Sequence, residues 1–307
     1  MIVYMTTLSK SPNAVAHLAY VTAQRAMPAY RHLKSPKKFT QHQLFAILVL
    51  KEFFKTDYRG ISEIVKDSSD LQKILELRFH DEIPHWTTLQ KTAHRMLKDG
   101  GANLLLSETV RIAQDMKVLR KNVSLAALDS TGLESHYTSN YFVKRKAKGG
   151  ATEQRTTYIR VPKVGIVADC KRHFVLAGIP SWGPSPDIIH FEKAVKQATH
   201  RTPIRTLLAD AGYDSEKAHR LAREELGVRT VIPARIGRPT NKLPSGKYRK
   251  IMATRFSAKV YGQRWQVETL NAMLKCALCS FLRARSYWSQ MRELMMRLIT
   301  FNILVLR

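Results

Sequence analysis

Three carboxylates in this chain of 307 residues are placed where chemistry is possible. Asp129 closes the apolar run VSLAALDST and is followed by Ser130-Thr131-Gly132, and Asp210 closes RTLLAD and is followed by Ala211-Gly212-Tyr213. Glu268 is the one acid between Leu226 and Arg292, a stretch that holds 14 Lys or Arg. In open α/β sheets ligands bind in the crevice beyond the carboxyl ends of the strands, so two acids at such ends can converge. Either aspartate alone reads more readily as an Asx turn that closes a strand, and for Glu268 alone a chance surface ion pair is the plainer alternative. Two aspartates in the same relative position within one basic region weaken the plainer reading.

The segment YGQRWQVETLNAMLK carries the third acid. As a helix it places Tyr261, Arg264, Glu268 and Lys275 within an arc of about 60°, with Trp265 beside them. Val267, Leu270, Met273, Leu274 and Ala277 then project to the other side, toward a sheet. A solvated amphipathic helix explains the polar stripe, but not the Trp on it or the lack of other acids. Carboxylates are hard oxygen ligands for Mg²⁺ or Mn²⁺. Two such ions about 3.5 to 4 Å apart run phosphodiester cleavage, one activating the attacking oxygen and one stabilising the leaving oxygen. Crowded acids repel one another without the ions, while the ions and nearby Lys and Arg keep them charged.

The charge balance points to the same kind of substrate. With 51 Lys+Arg against 24 Asp+Glu the formal net charge is +27, which calls for a polyanionic partner. Residues 1–120 hold 18 basic and 11 acidic side chains (18 − 11 = +7), and residues 121–307 hold 33 and 13 (33 − 13 = +20). An acidic membrane is the alternative partner, but membrane-binding charge usually sits in one tail or one amphipathic helix. Three cysteines exclude the disulfide framework of a small secreted protein, so a reducing compartment is expected. The N-terminus lacks the pattern of a signal peptide, and the apolar run Leu298 to Leu306 falls short of a membrane span. A soluble intracellular protein with no membrane partner is the expectation.

The elements that must position the acids fall into two groups. Residues 1–120 read as helices: Gln41 to Phe54 has a broad apolar face, and Ile61 to Val65 and Leu71 to Leu77 are short apolar runs. In IPHWTTLQKTAHRML, Pro84 and Thr87/Thr88 mark a helix start, with Leu89, Ala93, Met96 and Leu97 on one face. Gln90, Lys91, His94 and Arg95 fall elsewhere on it, as in a helix-turn-helix-like DNA reader; a plain bundle packed on the second domain fits as well. From residue 121 the period changes. VSLAALDST, TYIRVPKVGIVADC and HFVLAGIPSW read as strands, the last two joined near Asp169 to Arg172. DIIHFEKAVKQAT reads as a helix capped by Asp187, RTLLAD as a strand, DSEKAHRLAREEL as a helix opened by Asp214, and VRTVIPA as a strand. A basic Gly/Pro-containing link, RIGRPTNKLPSGKYRK, leads into a long helix from about Ser257, and MRELMMRLITFNILVLR reads as a core helix. The sum is a mixed α/β sheet flanked by helices, preceded by an all-helical region.

On these residues the chain resembles the DDE transposases of prokaryotic insertion sequences. Asp129 in LAALDSTG, Asp210 in LLADAGYDS, and Tyr261, Arg264, Glu268 and Lys275 in the spacing Y-x2-R-x3-E-x6-K are similar to the three catalytic blocks of that group, over roughly residues 40–307. The resemblance implies a ribonuclease-H-like catalytic domain over 121–307 with a small basic insertion near 233–256, and a DNA-binding region over 1–120. It implies two Mg²⁺ or Mn²⁺ ions held by Asp129, Asp210 and Glu268, with Tyr261, Arg264 and Lys275 on phosphates and Trp265 stacked on a base. The implied reaction is hydrolysis at the element's ends followed by transfer of the freed 3′-OH. The implied partners are double-stranded DNA, as transposon ends and as target, and a second copy of the chain when two ends are paired. The implied setting is the nucleoid of a prokaryotic cytoplasm. Because 268 − 210 = 58, the β-rich insertion some relatives carry between the second and third acids is small here. A non-catalytic DNA-binding descendant and a nuclease without strand transfer are the two rival readings.

Three further features have modest expectations. Cys276 and Cys279 lack a second ligand pair and read as small residues beside a helix core. His136, His173 and His190 read as bystanders or phosphate contacts. Lys144, Arg145, Lys146 and Lys148 read as a loop after Asp129 that is either solvated or clamps a DNA backbone.

Overall fold

The computed structural model describes residues 7–32, 34, 37–77, 83–98, 100–146, 153–235 and 242–306. Six helices come first: α1 (Pro12–Ala26), α2 (Gln41–Phe53), α3 (Tyr58–Asp67), α4 (Ser69–Ile74), α5 (Trp86–Met96) and α6 (Gly101–Asp115). Local chemistry sets their starts. Ser11 accepts the Ala14 N–H with Pro12 at the first helical position of α1, and Thr40 and Gln43 form a reciprocal capping box on α2. On α5 the cap is His85, which accepts the Thr87 N–H, so the helix begins between Pro84 and the Thr pair. Gln90, Lys91, His94 and Arg95 are all exposed, while Leu89 and Met96 are buried.

The second part runs β1 (Ala126–Gly132), β2 (Glu134–Ser135), β3 (Ser139–Lys146), β4 (Glu153–Asp169), β5 (Phe174–Gly183), α7 (Phe191–Arg201), β6 (Thr206–Ala209), α8 (Glu216–Arg220) and β7 (Arg229–Val231). It continues with α9 (Lys247–Thr254), α10 (Ala258–Tyr261), α11 (Trp265–Leu278), β8 (Phe281–Leu282) and α12 (Tyr287–Val305). The sheet order is β5-β4-β1-β6-β7, with β1, β6 and β7 parallel and β4 antiparallel to its neighbours. That is the order and direction of a ribonuclease-H-like sheet. The parallel centre is apolar on both faces, as Ala126, Ala127, Leu128, Leu207 and Leu208 show, because helices cover both sides. β3 pairs with the outer half of β4, and β2 with β8.

One hydrophobic cluster runs through both parts. α12 lies at its centre, packed on α1, α2, α6, α11 and β5. Its buried Leu294, Leu298, Ile299, Phe301 and Ile303 each contribute about 1.5 to 3 kcal/mol from burial. Asn302 sits among them without cost: its Oδ1 accepts the Val175 N–H, and its Nδ2 donates to the Val175 carbonyl and to Thr109 Oγ1, each at 2.9 Å. Among the described residues no helix is long and apolar enough to cross a membrane.

Several local expectations change. Asp129 is not a strand end: β1 runs on to Gly132 because its β4 side stays paired through Gly132↔Lys163, while its β6 side stops at Leu128↔Ala209. Asp187 does not cap a helix; a 3-10 turn covers Asp187–His190, and its carboxylate pairs with Lys163. Asp214 does not open α8, which Ser215 precedes; it is buried and bonded elsewhere. The long helix from Ser257 is broken by a 3-10 turn at Gly262–Arg264. Lys144, Arg145 and Lys146 lie in β3, paired with Arg155, Gln154 and Glu153, rather than in a loop, because β4 is long enough to template a second partner. Lys148 and residues 236–241 of the basic link lie outside the described residues. α1 and α6 fall in stretches of the helical region where no particular helix was singled out.

Candidate active site

Parallel pairing of β1 with β6 ends at Leu128↔Ala209, and the next residues are Asp129 and Asp210. Asp129 therefore continues β1 on its β4 side while Asp210 leaves β6, each one residue past the last pair of the ladder between the two strands. Asp210 turns the chain: its carboxylate accepts the Ala211 N–H at 2.7 Å and opens the 3-10 turn Ala211–Tyr213. That turn buries Tyr213, whose hydroxyl meets Ser130 Oγ at 2.8 Å and so ties the residue after Asp129 to the turn after Asp210. Gly165, paired with Ser130, leaves the space beside it open toward His190. Burial pushes the Tyr213 hydroxyl pKa well up, keeping it neutral.

Glu268 arrives on α11. Val267, Leu270 and Leu274 are buried and press this helix onto the sheet, which brings Asn271 and Arg264 to Asp129. Asn271 Nδ2 donates to Asp129 Oδ2 at 3.1 Å. The Arg264 guanidinium lies 4.0 Å from Asp129 Oδ1 and donates to Glu268 Oε1 at 2.5 Å, so one cation spans acids from two elements. The same guanidinium stands 5.9 Å from the centre of the Tyr261 ring. Burial raises the Asp129 pKa above the ordinary carboxylate value, opposed by the Ser130 amide and Arg264 and reinforced by Glu268 and Asp187. For Arg264 burial works against the charge, but Tyr261, Glu268, Asp129 and Asp210 outweigh it and the pKa rises. Burial likewise raises Tyr261.

The remaining candidates sit at varied distances. Trp265, half-buried, begins α11. Lys275, also half-buried, lies seven residues past Glu268, about 10 Å further along the helix axis. The backbone of Lys144, Arg145 and Lys146 is on the outer hairpin, and Arg155 opposite Lys144 is 11 residues from Ile166 opposite Asp129 (166 − 155). At about 3.3 Å per residue that separation is roughly 35 Å, so the structure does not bring the three to Asp129. His136 packs on Phe281 with ring centres 4.4 Å apart, and His173 is buried with its Nε2 2.7 Å from Gln266 Oε1. Cys276 is exposed; Cys279 ends α11 at φ 78°, and neither is in a disulfide.

Asn271 and Asp187 are the site residues that sequence reasoning missed. Asn271 interrupts the buried stripe of α11 three residues after Glu268, and a polar residue there asks for a partner. Asp187 carries no such sign, since its role depends on Lys163, 24 residues earlier. Among the described residues no group of three His, Cys, Asp or Glu is gathered closely enough to hold a metal. What the donor set does show is hard oxygens around one positive centre, the arrangement a divalent ion would also favour.

The fold and the site define a basic α/β protein in which Arg264 stands between Asp129 and Glu268, and Asp210 follows the neighbouring strand. Residues 123–303 match the family model described as the transposase DDE domain, and the chain belongs to that family. A comparison with curated proteins finds no match. Among solved structures, the piggyBac transposase synaptic complex with hairpin DNA is 11% identical with a TM-score of 0.48, over 98% of this chain and 77% of that one. The Mos1 transposase paired-end complex with left transposon end is 12% identical with a TM-score of 0.23, over 83% of each chain. The family assignment rests on the 123–303 match.

Proposed function

We propose that the chain is a metal-dependent DNA transposase that cleaves the ends of a DNA element and joins them to a target. The observation that carries this is the placement of Asp129 and Asp210 directly after the last pair of the β1–β6 ladder, with Arg264 linking Asp129 to Glu268. Asp129, Asp210 and Glu268 are the residues that would hold Mg²⁺ or Mn²⁺, whose chemistry is to activate the attacking oxygen and stabilise the leaving one. Asn271 fixes the orientation of Asp129 through its Oδ2. Arg264, Tyr261 and Lys275 bind phosphates beside the acids, and Trp265 stacks on a base of the reacting strand. When a phosphate takes Arg264, the acids lose the cation between them and their need for another rises.

In the same reading, residues 1–120 form the DNA-binding part and α5 presents Gln90, Lys91, His94 and Arg95 to the terminal repeats. Residues 121–307 form the catalytic domain, with the basic segment near 233–256 as its insertion and Lys144–Lys146 as an outlying backbone contact. Two protomers pair two ends, and the protein works at the nucleoid of a prokaryotic cell.

The test uses DNA carrying the element's ends, supplied with Mg²⁺. The unaltered chain nicks the end and transfers a pre-cut 3′-OH to target DNA, and Asp129→Ala lowers both by about a thousandfold, several kcal/mol of lost stabilisation, while binding persists. Binding with no cleavage by either protein would mean a non-catalytic binder, and equal cleavage by both would remove Asp129 from the site. Cleavage without joining would mean a nuclease.

A further inference from the structure

The segment between β8 and the first turns of α12 carries Arg283, Arg285, Trp288 and Arg292, none of which the catalytic reading uses. Two cavities flank it. One, of about 430 Å³, opens between this segment and α2 and α5; the other, of about 770 Å³, opens toward α6 and Gly178–Pro180 of β5. Both are bounded by His94, Leu97 and Arg292, so they form one groove with Arg292 at its waist.

Lys51 in the first cavity is paired with Glu52, but the acids there do not neutralise Arg283, Arg285 or Arg292. Glu52 is held by Lys51 and Arg297, Glu293 by Arg297 and by the amides of Arg283 and Ala284, and Asp57 by the Gly60 N–H. Arg292 donates to Ser289 Oγ and has no carboxylate partner among the described residues, and burial disfavours its charge. Arg285 rests 5.3 Å from the centre of the Tyr137 ring, and Arg283 donates to the Lys55 carbonyl. Trp288 is 68% exposed, the most exposed large apolar side chain among the described residues. It is nonetheless held: it packs edge-on against Tyr287 at 4.8 Å, and Tyr287 edge-on against Trp182 at 5.0 Å.

We propose that this groove binds an unpaired DNA strand, its phosphates on Arg285 and Arg292 and a base stacked on Trp288. The proposal rests on the transposase reading only for the choice of DNA as the polyanion. Uncompensated guanidinium groups in a chain of net charge +27 select a polyanion, and a supported ring with a free face adds what a phosphate alone does not need. Every base has a π face, so such a ring is a platform for any unpaired nucleotide. A blunt duplex keeps its bases stacked on one another and offers the ring little. The site is separate from Trp265 at the start of α11.

Fluorescence anisotropy in a chelator, where no cleavage occurs, tests it with a blunt duplex, the same duplex carrying an unpaired tail, and a single strand. The tail is expected to tighten binding by the unaltered chain about tenfold. Trp288→Ala should lose most of that gain and Trp288→Phe keep it. Arg285→Gln with Arg292→Gln should lower the salt slope on the single strand by about 1.4, two contacts at about 0.7 each. No gain from the tail, or variants that match the unaltered chain in gain and slope, overturns the proposal, as does preference for an RNA strand over the same DNA strand. Mg²⁺-dependent cleavage is read separately. Cleavage without tail preference sinks the groove alone, and tail preference without cleavage keeps the groove and removes the transposase reading.

Discussion

Replacing Glu52 by Gln probes the seam between the helices and the sheet. Glu52 is 4% exposed; its carboxylate receives Lys51 Nζ at 2.5 Å and Arg297 Nε at 3.4 Å. Arg297 also donates to the carbonyls of Cys279 and Phe281 and to Glu293, so one buried ion cluster joins α2 to β8 and α12. Burial opposes charge on Glu52, but Lys51 and Arg297 outweigh it and its pKa is lowered; by the same balance that of Lys51 is raised. Gln keeps the volume and leaves two buried cations facing one remaining carboxylate, a loss of about 3 to 5 kcal/mol. At roughly 2 to 4 °C per kcal/mol in a chain this large, the thermal midpoint drops on the order of 10 °C. A carboxylate whose folded pKa is lowered stabilises above its unfolded value near 4.3 and loses that contribution as the pH falls through the folded value. The difference between the two proteins in urea melts should therefore be full near neutrality and shrink in strong acid. Lys51→Met combined with Glu52→Gln removes the pair as a unit and should recover most of the loss. A single-variant loss under about 1 kcal/mol, or a double variant no better than the single, would refute the cluster's role.

Other substitutions test the parts that position the site. Asp214, with no exposed side-chain surface, accepts the Arg235 N–H and Arg249 Nε, each at 2.8 Å, so Asp214→Asn should free α9 and hasten limited proteolysis within residues 233–256; an unchanged digest contradicts this. A Cβ on Gly178 would lie 2.1 Å from Leu298 Cδ1, so Gly178→Ala should cost about 1 to 3 kcal/mol in urea melts, and adding Leu298→Val should relieve it. Arg264→Gln removes the cation between Asp129 and Glu268. It should strengthen Mn²⁺ binding several-fold without DNA while lowering the salt slope of duplex binding by about 0.9. Weaker Mn²⁺ binding in that variant would contradict the bridging role.

The period of the side chains made the sheet and its order of acids legible, and the apolar stripe of α11 marked which face of that helix meets the sheet. What stayed hidden depends on partners distant in sequence. Asp187 and Asp214 look like helix caps because short acids favour that local bond, yet Lys163 and Arg249 capture them instead. Asp129 looks like a strand end because the apolar run stops there, and only the unequal length of its two neighbours carries β1 on to Gly132. β3 runs Tyr141-Phe142-Val143 straight into Lys144-Arg145-Lys146 with no alternation, so its pairing comes from β4 rather than from its own pattern. α1 did carry a local sign, Ser11-Pro12 ahead of an alanine-rich run.

The most direct test of the three-acid site is Mn²⁺ binding to the chain in complex with DNA, followed by electron paramagnetic resonance. Asp129→Asn, Asp210→Asn and Glu268→Gln should each weaken it more than tenfold with the fold and DNA affinity intact. Any one of the three binding Mn²⁺ as the unaltered chain does would contradict that site.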